Sequence, residues 1–386
     1  MIMRLFYRMV KSSLFRRLIN PGYKTTPLRD GDLVCVVPGE PNKLGDLIMN
    51  NHCLQILQRH YSLSYGVLDW YLERNRDFLE NHCYARDLLV FPTNLWKMVL
   101  FIREIKKRKY KAAILLPYFP KRTDVCFYLA GVPVISALGG TSAVSTHHYN
   151  VEKFANQNHY TAAAPCILDA LGIDHVIEPD DLPWFPFTKM TPEECKRKGG
   201  ILMTLHIGGG TFWMRRWPPE KFLELAKLFL DQYEGKIFLV GGGEEFEENE
   251  AFKNALVAHC EDKDRVVNFC GSSSCNRFAN IIAASDIFLG NDSGPMHMAT
   301  ALKKRVICIF GPSNIPFLNP TYVDERNATI YLDLECVPCK TITCRLPEDK
   351  QYSCLKDLPV GMVWAKLQAA IESADLSRSL HSKSLL

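Results

Sequence analysis

The stretch Asp286–Phe310, DIFLGNDSGPMHMATALKKRVICIF, decides the fold. An apolar run ends at Gly290, and Asp292, Ser293, Gly294 and Pro295 follow as a polar turn. A helical pattern, GPMHMATALKK, carries the chain to Lys304, where a second apolar run, RVICIF, begins. Two buried strands joined through one helix must pair in parallel, because the helix returns the chain to the edge where the first strand began. Proline in the first helical position fits that start, where its missing N–H costs nothing.

The same alternation extends outward from this unit. Upstream lie the strand and glycine loop GGILMTLHIGGG (199–210), the helix PPEKFLELAKLFLDQY (218–233), the strand and glycines KIFLVGGGEE (236–245) and the helix CNRFANIIAAS (275–285). Further upstream, DLVCVVP (32–38) reads as a strand and LGDLIMNNHCLQILQRHY (44–61) as a helix. YSLSYGVLDW (61–70), DLLVFP (87–92), KAAILLPYF (111–119) and GVPVISALG (131–139) are further strands, with NLWKMVLFIREIKKRKY (94–110) a helix among them. Between them and the second series, EPDDLPWFPFTKMTP (178–192) holds four prolines and no period, the composition of a linker. The prediction is an α/β chain of two doubly wound Rossmann-like halves, residues 1–183 and 193–386, joined by a linker at 184–192. A last helix at about 359–373 is free to return to the first half.

The 386 residues suffice for two domains, and 47% hydrophobic with 23% charged content belongs to a soluble globular chain. A net charge of +4, from 46 basic and 42 acidic residues, is too mild for a nucleic-acid binder. The segment MIMRLFYRMVKSSLFRRLIN (1–20) mixes Arg4, Arg8, Lys11, Arg16 and Arg17 with apolar residues. It is too interrupted to span a bilayer and lacks the order of a signal peptide. Two readings remain: a basic amphipathic helix on an anionic membrane surface, or a terminal helix packed on its own domain. Fourteen cysteines without an export signal point to a reducing compartment.

Ligands of open parallel sheets collect where strand C-termini feed helix N-termini. Four such loops in the second half are rich in glycine and polar residues: HIGGG (206–210), GGGEE (241–245), GNDSG (290–294) and FGPSN (310–314). Glycines such as Gly208 and Gly209 let backbone N–H groups approach a phosphate, and the N–H groups near Gly294–Met296 sit at a helix N-terminus. Arg215, before Trp217 and a helix start, suits a diphosphate; solvated charge is the alternative. Neither GxxxxGK[ST] nor a GxGxxG on the first strand–helix turn occurs, which disfavours P-loop hydrolases and dinucleotide enzymes. In PNKLGDLIMNN, Asp46 reads equally as a helix N-cap and as a general base, and Lys43 as an anion contact or a solvated charge.

Taken in order, KLGD, HIGGGTFWMRRWPPEKF, FLVGGGEE, CGSSSCNRFANIIAASDIFLGNDSGPMHMATALKKRVICIFGPSN and CVPCKTITC resemble glycosyltransferase family 9, the bacterial heptosyltransferases of lipopolysaccharide core assembly. The resemblance runs from about Leu33 to Val363. It implies a GT-B fold, two Rossmann-like domains facing a central cleft, with acceptor on the first and nucleotide-sugar on the second. It implies inverting transfer of heptose from ADP-heptose to an inner-core sugar of lipopolysaccharide or lipooligosaccharide, without a metal or other catalytic cofactor. The enzyme is then cytoplasmic and peripheral to the inner membrane. Asp46 matches the family's base, and Lys43 beside it is the candidate acceptor contact. Arg215 stands where most members carry a lysine that meets the donor phosphate. Asp292, Ser293, Gly294 and His297 match the donor site, and Glu245 lies near an acid that meets the nucleoside. The segment LKKRV (302–306) and the loop IPFLNP (315–320) depart from the family pattern.

Cys336, Cys339, Cys344 and Cys354 are spaced C-x2-C-x4-C-x9-C. The C-x2-C pair suits a tetrahedral metal, but the later spacings are tighter than in common zinc modules, so buried thiols stay open as the alternative. Some protein-modifying heptosyltransferases hold iron at four cysteines, so structural zinc or iron is the expectation to test. Two other functions stand beside the main one: transfer to a protein serine, and a non-catalytic nucleotide-sugar or metal-binding module. A binder has no need of a base at Asp46.

Overall fold

A computed structural model describes residues 27–37, 44–68, 85–91, 95–116, 123–137, 147–149, 159–174, 200–209, 213–271, 274–339 and 343–383, with isolated positions from 183 to 195. The segment 1–20, Lys43, Gly210, most of the linker and the side chain of Asp46 lie outside the described residues. The chain divides into two compact units, Met1–Pro183 and Trp184–Leu386.

In the first unit the chain runs β1 (Leu33–Val37), α1 (Leu44–Leu57), β2 (Ser62–Leu68), β3 (Asp87–Phe91), α2 (Leu95–Arg108), β4 (Ala112–Leu115), α3 (Thr123–Leu129), β5 (Val134–Ala137), β6 (His147–Tyr149) and α4 (Ala163–Ala170). All six strands pair in parallel in the order β3-β2-β1-β4-β5-β6. The second unit runs β7 (Ile201–His206), α5 (Pro219–Gln232), β8 (Gly235–Leu239), α6 (Phe246–Val257), β9 (Val266–Asn268), α7 (Cys275–Ala284), β10 (Ile287–Asn291), α8 (Gly294–Ala301), β11 (Arg305–Ile309), α9 (Ile315–Leu318), β12 (Ala328–Ile330), α10 (Ser353–Lys356) and α11 (Val360–Lys383). Its sheet, β12-β11-β10-β7-β8-β9, is again wholly parallel.

Read from the other edge, the second order repeats the first: third, second, first, fourth, fifth, sixth. Sheet growth therefore reverses between β1 and β4, and again between β7 and β10. At such a point successive loops part to opposite faces, which opens a crevice at the strand C-termini.

Helices on both faces account for the composition of the strands. All six residues of β7 are buried, and so are all five of β10. The core of the second unit joins Phe222, Leu225 and Phe229 of α5 to Val363, Leu367 and Ile371 of α11, each set at helical spacing. The last helix thus packs on the second unit up to Ile371, whereas the sequence had left it free to return to the first. Trp217 is fully buried at the start of α5, and its indole N–H donates to the Leu358 carbonyl (3.0 Å).

The periodic pattern did not reveal α3, α4, α6, β6, β9 or β12. The three strands are three residues each, too short to alternate visibly. The acid-rich α6 buries only Asn249, Phe252 and Leu256.

Candidate functional site

Three loops at the C-terminal ends of β7, β8 and β10 meet beside the sheet reversal of the second unit. Their closeness begins with a glycine. Gly290 pairs with His206 across the two strands, and a Cβ there would stand 2.9 Å from the His206 carbonyl oxygen and 3.0 Å from its Cβ. No side chain fits, so the loops after β7 and β10 leave their strands in contact.

Asn291, the last residue of β10, then ties the loops together. Its fully buried amide donates to the carbonyls of Ile207 (3.1 Å) and Gly208 (2.8 Å) and accepts the Trp217 N–H (2.9 Å). Sequence reading passed over this residue. The available signal was an amide at the end of an apolar strand, because a buried polar group needs partners.

Glu245, after β8, is 3% exposed and reaches into the β7 loop. Its Oε1 accepts the Gly209 N–H (3.2 Å) and its Oε2 the Gly242 N–H (3.0 Å). Arg216 Nη2 lies 3.4 Å from Oε1, and Arg216 also pairs with Glu248 (2.8 Å). Gly209 gives its N–H to a carboxylate of this chain, and Gly208 lacks a side chain because a Cβ would overlap that same carboxylate.

His206 stands between Glu245 and Ser293. Its Nε2 is 3.4 Å from Glu245 Oε2 and its Nδ1 is 3.0 Å from Ser293 Oγ, which also lies 3.0 Å from the Asn291 carbonyl. The histidine was visible only as the first letter of a loop. Here it links the β8 side of the crevice to the β10 side.

Arg215 Nη1 donates to Asp292 Oδ2 at 3.0 Å, and Ser313 from the β11 loop donates to the same oxygen. Asp292 is 2% exposed, while the arginine side chain keeps 30% of its surface in solvent. A buried carboxylate thus holds a partly exposed guanidinium at the mouth of α8, which suits an anion. His297, in the first turns of α8, is buried; burial, reinforced by Arg215 and opposed by Asp292, lowers its pKa to about 4 and keeps the ring neutral. Of the N–H groups near Gly294–Met296, Pro295 has none and Met296 donates to the Ser293 carbonyl (3.1 Å).

Asp46 is the third residue of α1 and follows β1 at the reversal of the first sheet, so it is not the residue that caps the helix. The four cysteines do come together: all line one small cavity of about 20 Å³ with Met214 and Tyr352. Burial, then Cys339, Cys336 and Cys344, pushes the Cys354 thiol up to about 11, which favours the protonated form. Among the described residues no three His, Cys, Asp or Glu side chains are arranged to hold an ion. The thiols share a wall without forming a ligand set. No helix among the described residues is long and apolar enough to cross a membrane.

A model of glycosyltransferase family 9 (heptosyltransferase) matches residues 197–349. The lipooligosaccharide heptosyltransferase 2 of Campylobacter jejuni is 26% identical over 319 residues, which span 82% of this chain and 93% of that protein. Among solved structures, the family 9 glycosyltransferase of Veillonella parvula superposes with a TM-score of 0.69 at 18% identity, covering 91% of this chain and 100% of that one. The Escherichia coli ADP-heptose lipopolysaccharide heptosyltransferase II gives 0.64 at 17%, covering 89% and 99%. These structural likenesses establish the GT-B, Rossmann-like fold.

Proposed function

We propose that the chain, which a family 9 glycosyltransferase model matches over residues 197–349 and which is 26% identical to a lipooligosaccharide heptosyltransferase 2, is a glycosyltransferase of that family that moves heptose from ADP-heptose to an inner-core sugar of lipooligosaccharide or lipopolysaccharide. The observation that carries this reading is the Arg215–Asp292 pair at the β7/β10 reversal. It is a fixed cation where a nucleotide diphosphate would leave.

The chemistry needs two things: a more nucleophilic acceptor hydroxyl and relief of charge on the departing diphosphate. The Asp46 carboxylate removes the hydroxyl proton as the oxygen attacks the anomeric carbon. The carbon–oxygen bond to the diphosphate breaks on the opposite side, so configuration inverts and no covalent enzyme intermediate forms. Arg215 and the Gly294 N–H meet the charge that develops on the leaving oxygen, a task that asks for no divalent ion. Ser293 meets the donor sugar and is oriented by His206. Glu245 orders the glycine loop against which the nucleoside lies, and Lys43 contacts the acceptor. The first unit is thus the acceptor domain and the second the donor domain. The basic segment 1–20 supports docking on the anionic cytoplasmic face of the inner membrane.

Asp46→Asn is the direct test. Transfer to inner-core oligosaccharide should fall by about 10²–10⁴-fold, the usual worth of a general base, while the ADP-heptose Kd stays within about twofold. Turnover that survives the substitution removes Asp46 from this role.

A further inference from the structure

Beside the Trp213–Arg215 turn lies an open groove of about 340 Å³. That is the size of a small-ligand site. Trp213 forms part of it with 59% of its surface exposed. Its ring meets Tyr352 edge-on at 4.8 Å. Tyr352 adopts φ 61°, ψ 21°, the left-handed region that a bulky residue occupies only under constraint. Its N–H donates to the Cys344 thiol (3.4 Å), so the segment that carries the four cysteines also sets the aromatic wall.

The cations of the groove differ in availability. Arg216 is committed to Glu248 and Glu245, and the Lys221 ammonium to the carbonyls of Lys356 and Leu358. Lys356 is exposed, its ammonium 5.7 Å from the centre of the Tyr352 ring, and no carboxylate pairs with it among the described residues. An exposed indole next to an uncommitted ammonium fits a ligand with a flat apolar face and a negative substituent. A pyranose offers its C–H face to an aromatic ring, and a carboxylate or phosphate on it would reach the lysine.

We propose that this groove binds an acidic sugar residue of the acceptor, outside the residue that is glycosylated. The inference rests on the heptosyltransferase reading for the identity of the acceptor. It adds an acceptor contact on the second unit, and one with a consequence. Trp213 and Arg215 share a single turn, so a sugar held on the indole fixes the turn that presents the guanidinium to the donor.

The test is a titration of the full chain with deacylated inner-core oligosaccharide, read by tryptophan fluorescence, alongside steady-state transfer. The wild-type protein should show a saturable change that is absent from Trp213→Phe, a variant that keeps the packing on Tyr352. Trp213→Ala should raise the acceptor KM by about 3- to 10-fold, the worth of an aromatic contact. Lys356→Glu should raise it at low salt, the effect shrinking as salt screens it, and enzymatic dephosphorylation or carboxyl reduction of the probe should weaken binding to wild type. Calorimetric ADP-heptose affinity should stay within about twofold in every variant. A saturable signal unchanged in Trp213→Phe, no signal at all, or a loss of donor rather than acceptor affinity overturns the proposal. Binding without transfer leaves the groove standing and refutes the heptosyltransferase reading instead.

Discussion

Gly208 and Glu245 lie 37 positions apart in the sequence, yet one cannot change without the other. An alanine Cβ at 208 would stand 2.8 Å from Glu245 Oε2 and closer still to Oε1 and Cδ, distances real side chains do not tolerate. The φ of Gly208 lies outside the left-handed region, so backbone strain does not confuse the substitution. The carboxylate must withdraw, which breaks its bonds from Gly209 (3.2 Å) and Gly242 (3.0 Å). A hydrogen bond to a charged group contributes about 1.5–3 kcal/mol, and a displaced carboxylate recovers part of that from water. Gly208→Ala should therefore destabilise the protein by about 2–4 kcal/mol. In a Glu245→Ala background the obstacle is gone. There the same change should be neutral, or stabilising by about 0.4–1 kcal/mol through the stiffer unfolded chain. Urea denaturation of the four proteins closes the cycle, with an expected coupling of about 2 kcal/mol or more. An equal cost of Gly208→Ala in both backgrounds would refute the placement of the carboxylate over the glycine.

Other expectations concern the remaining parts of the site. Asp292→Asn leaves Arg215 without its anion and should raise the donor KM by about 10- to 100-fold, the equivalent of one charged hydrogen bond; an unchanged KM would show that Arg215 needs no support. Asn291→Ala strands the buried Trp217 N–H and two carbonyls, and should cost about 2–4 kcal/mol in urea unfolding. His297 titrates at about 4 in the folded protein against an ordinary 6.5, so between those values the unfolded chain binds the extra proton. Its contribution is complete above pH 6.5 and is lost as pH falls toward 4, by up to about 3 kcal/mol. Stability of His297→Gln measured across this window should fall less steeply than that of the wild-type protein.

Legibility in the sequence followed physical scale. The βαβ unit at Asp286–Phe310 could be read because both strands are buried on two faces and its turn carries glycine and proline at fixed places. The loops could be recognised as glycine-rich strand-to-helix turns for the same reason. Their partners could not, because hydrogen bonds between β7, β8 and β10 join residues 29 to 87 positions apart. Thus the pairing of Asp292 with Arg215 and Ser313, which come from other loops, had no mark in the sequence. Likewise Asn291 and His206 carry no motif of their own and acquire their part from three-dimensional neighbours. Cys336, Cys339, Cys344 and Cys354 show the opposite case: their spacing foretold proximity, which the fold delivers, but not a closed ligand set.

Calorimetric titration of the wild-type chain and Arg215→Met with ADP-heptose, with UDP- and GDP-sugars as competitors, tests the central claim most directly. The account expects saturable binding of ADP-heptose alone, weakened about 10- to 100-fold by loss of the guanidinium. Preference for a uridine or guanosine donor, or equal affinity in Arg215→Met, would contradict it.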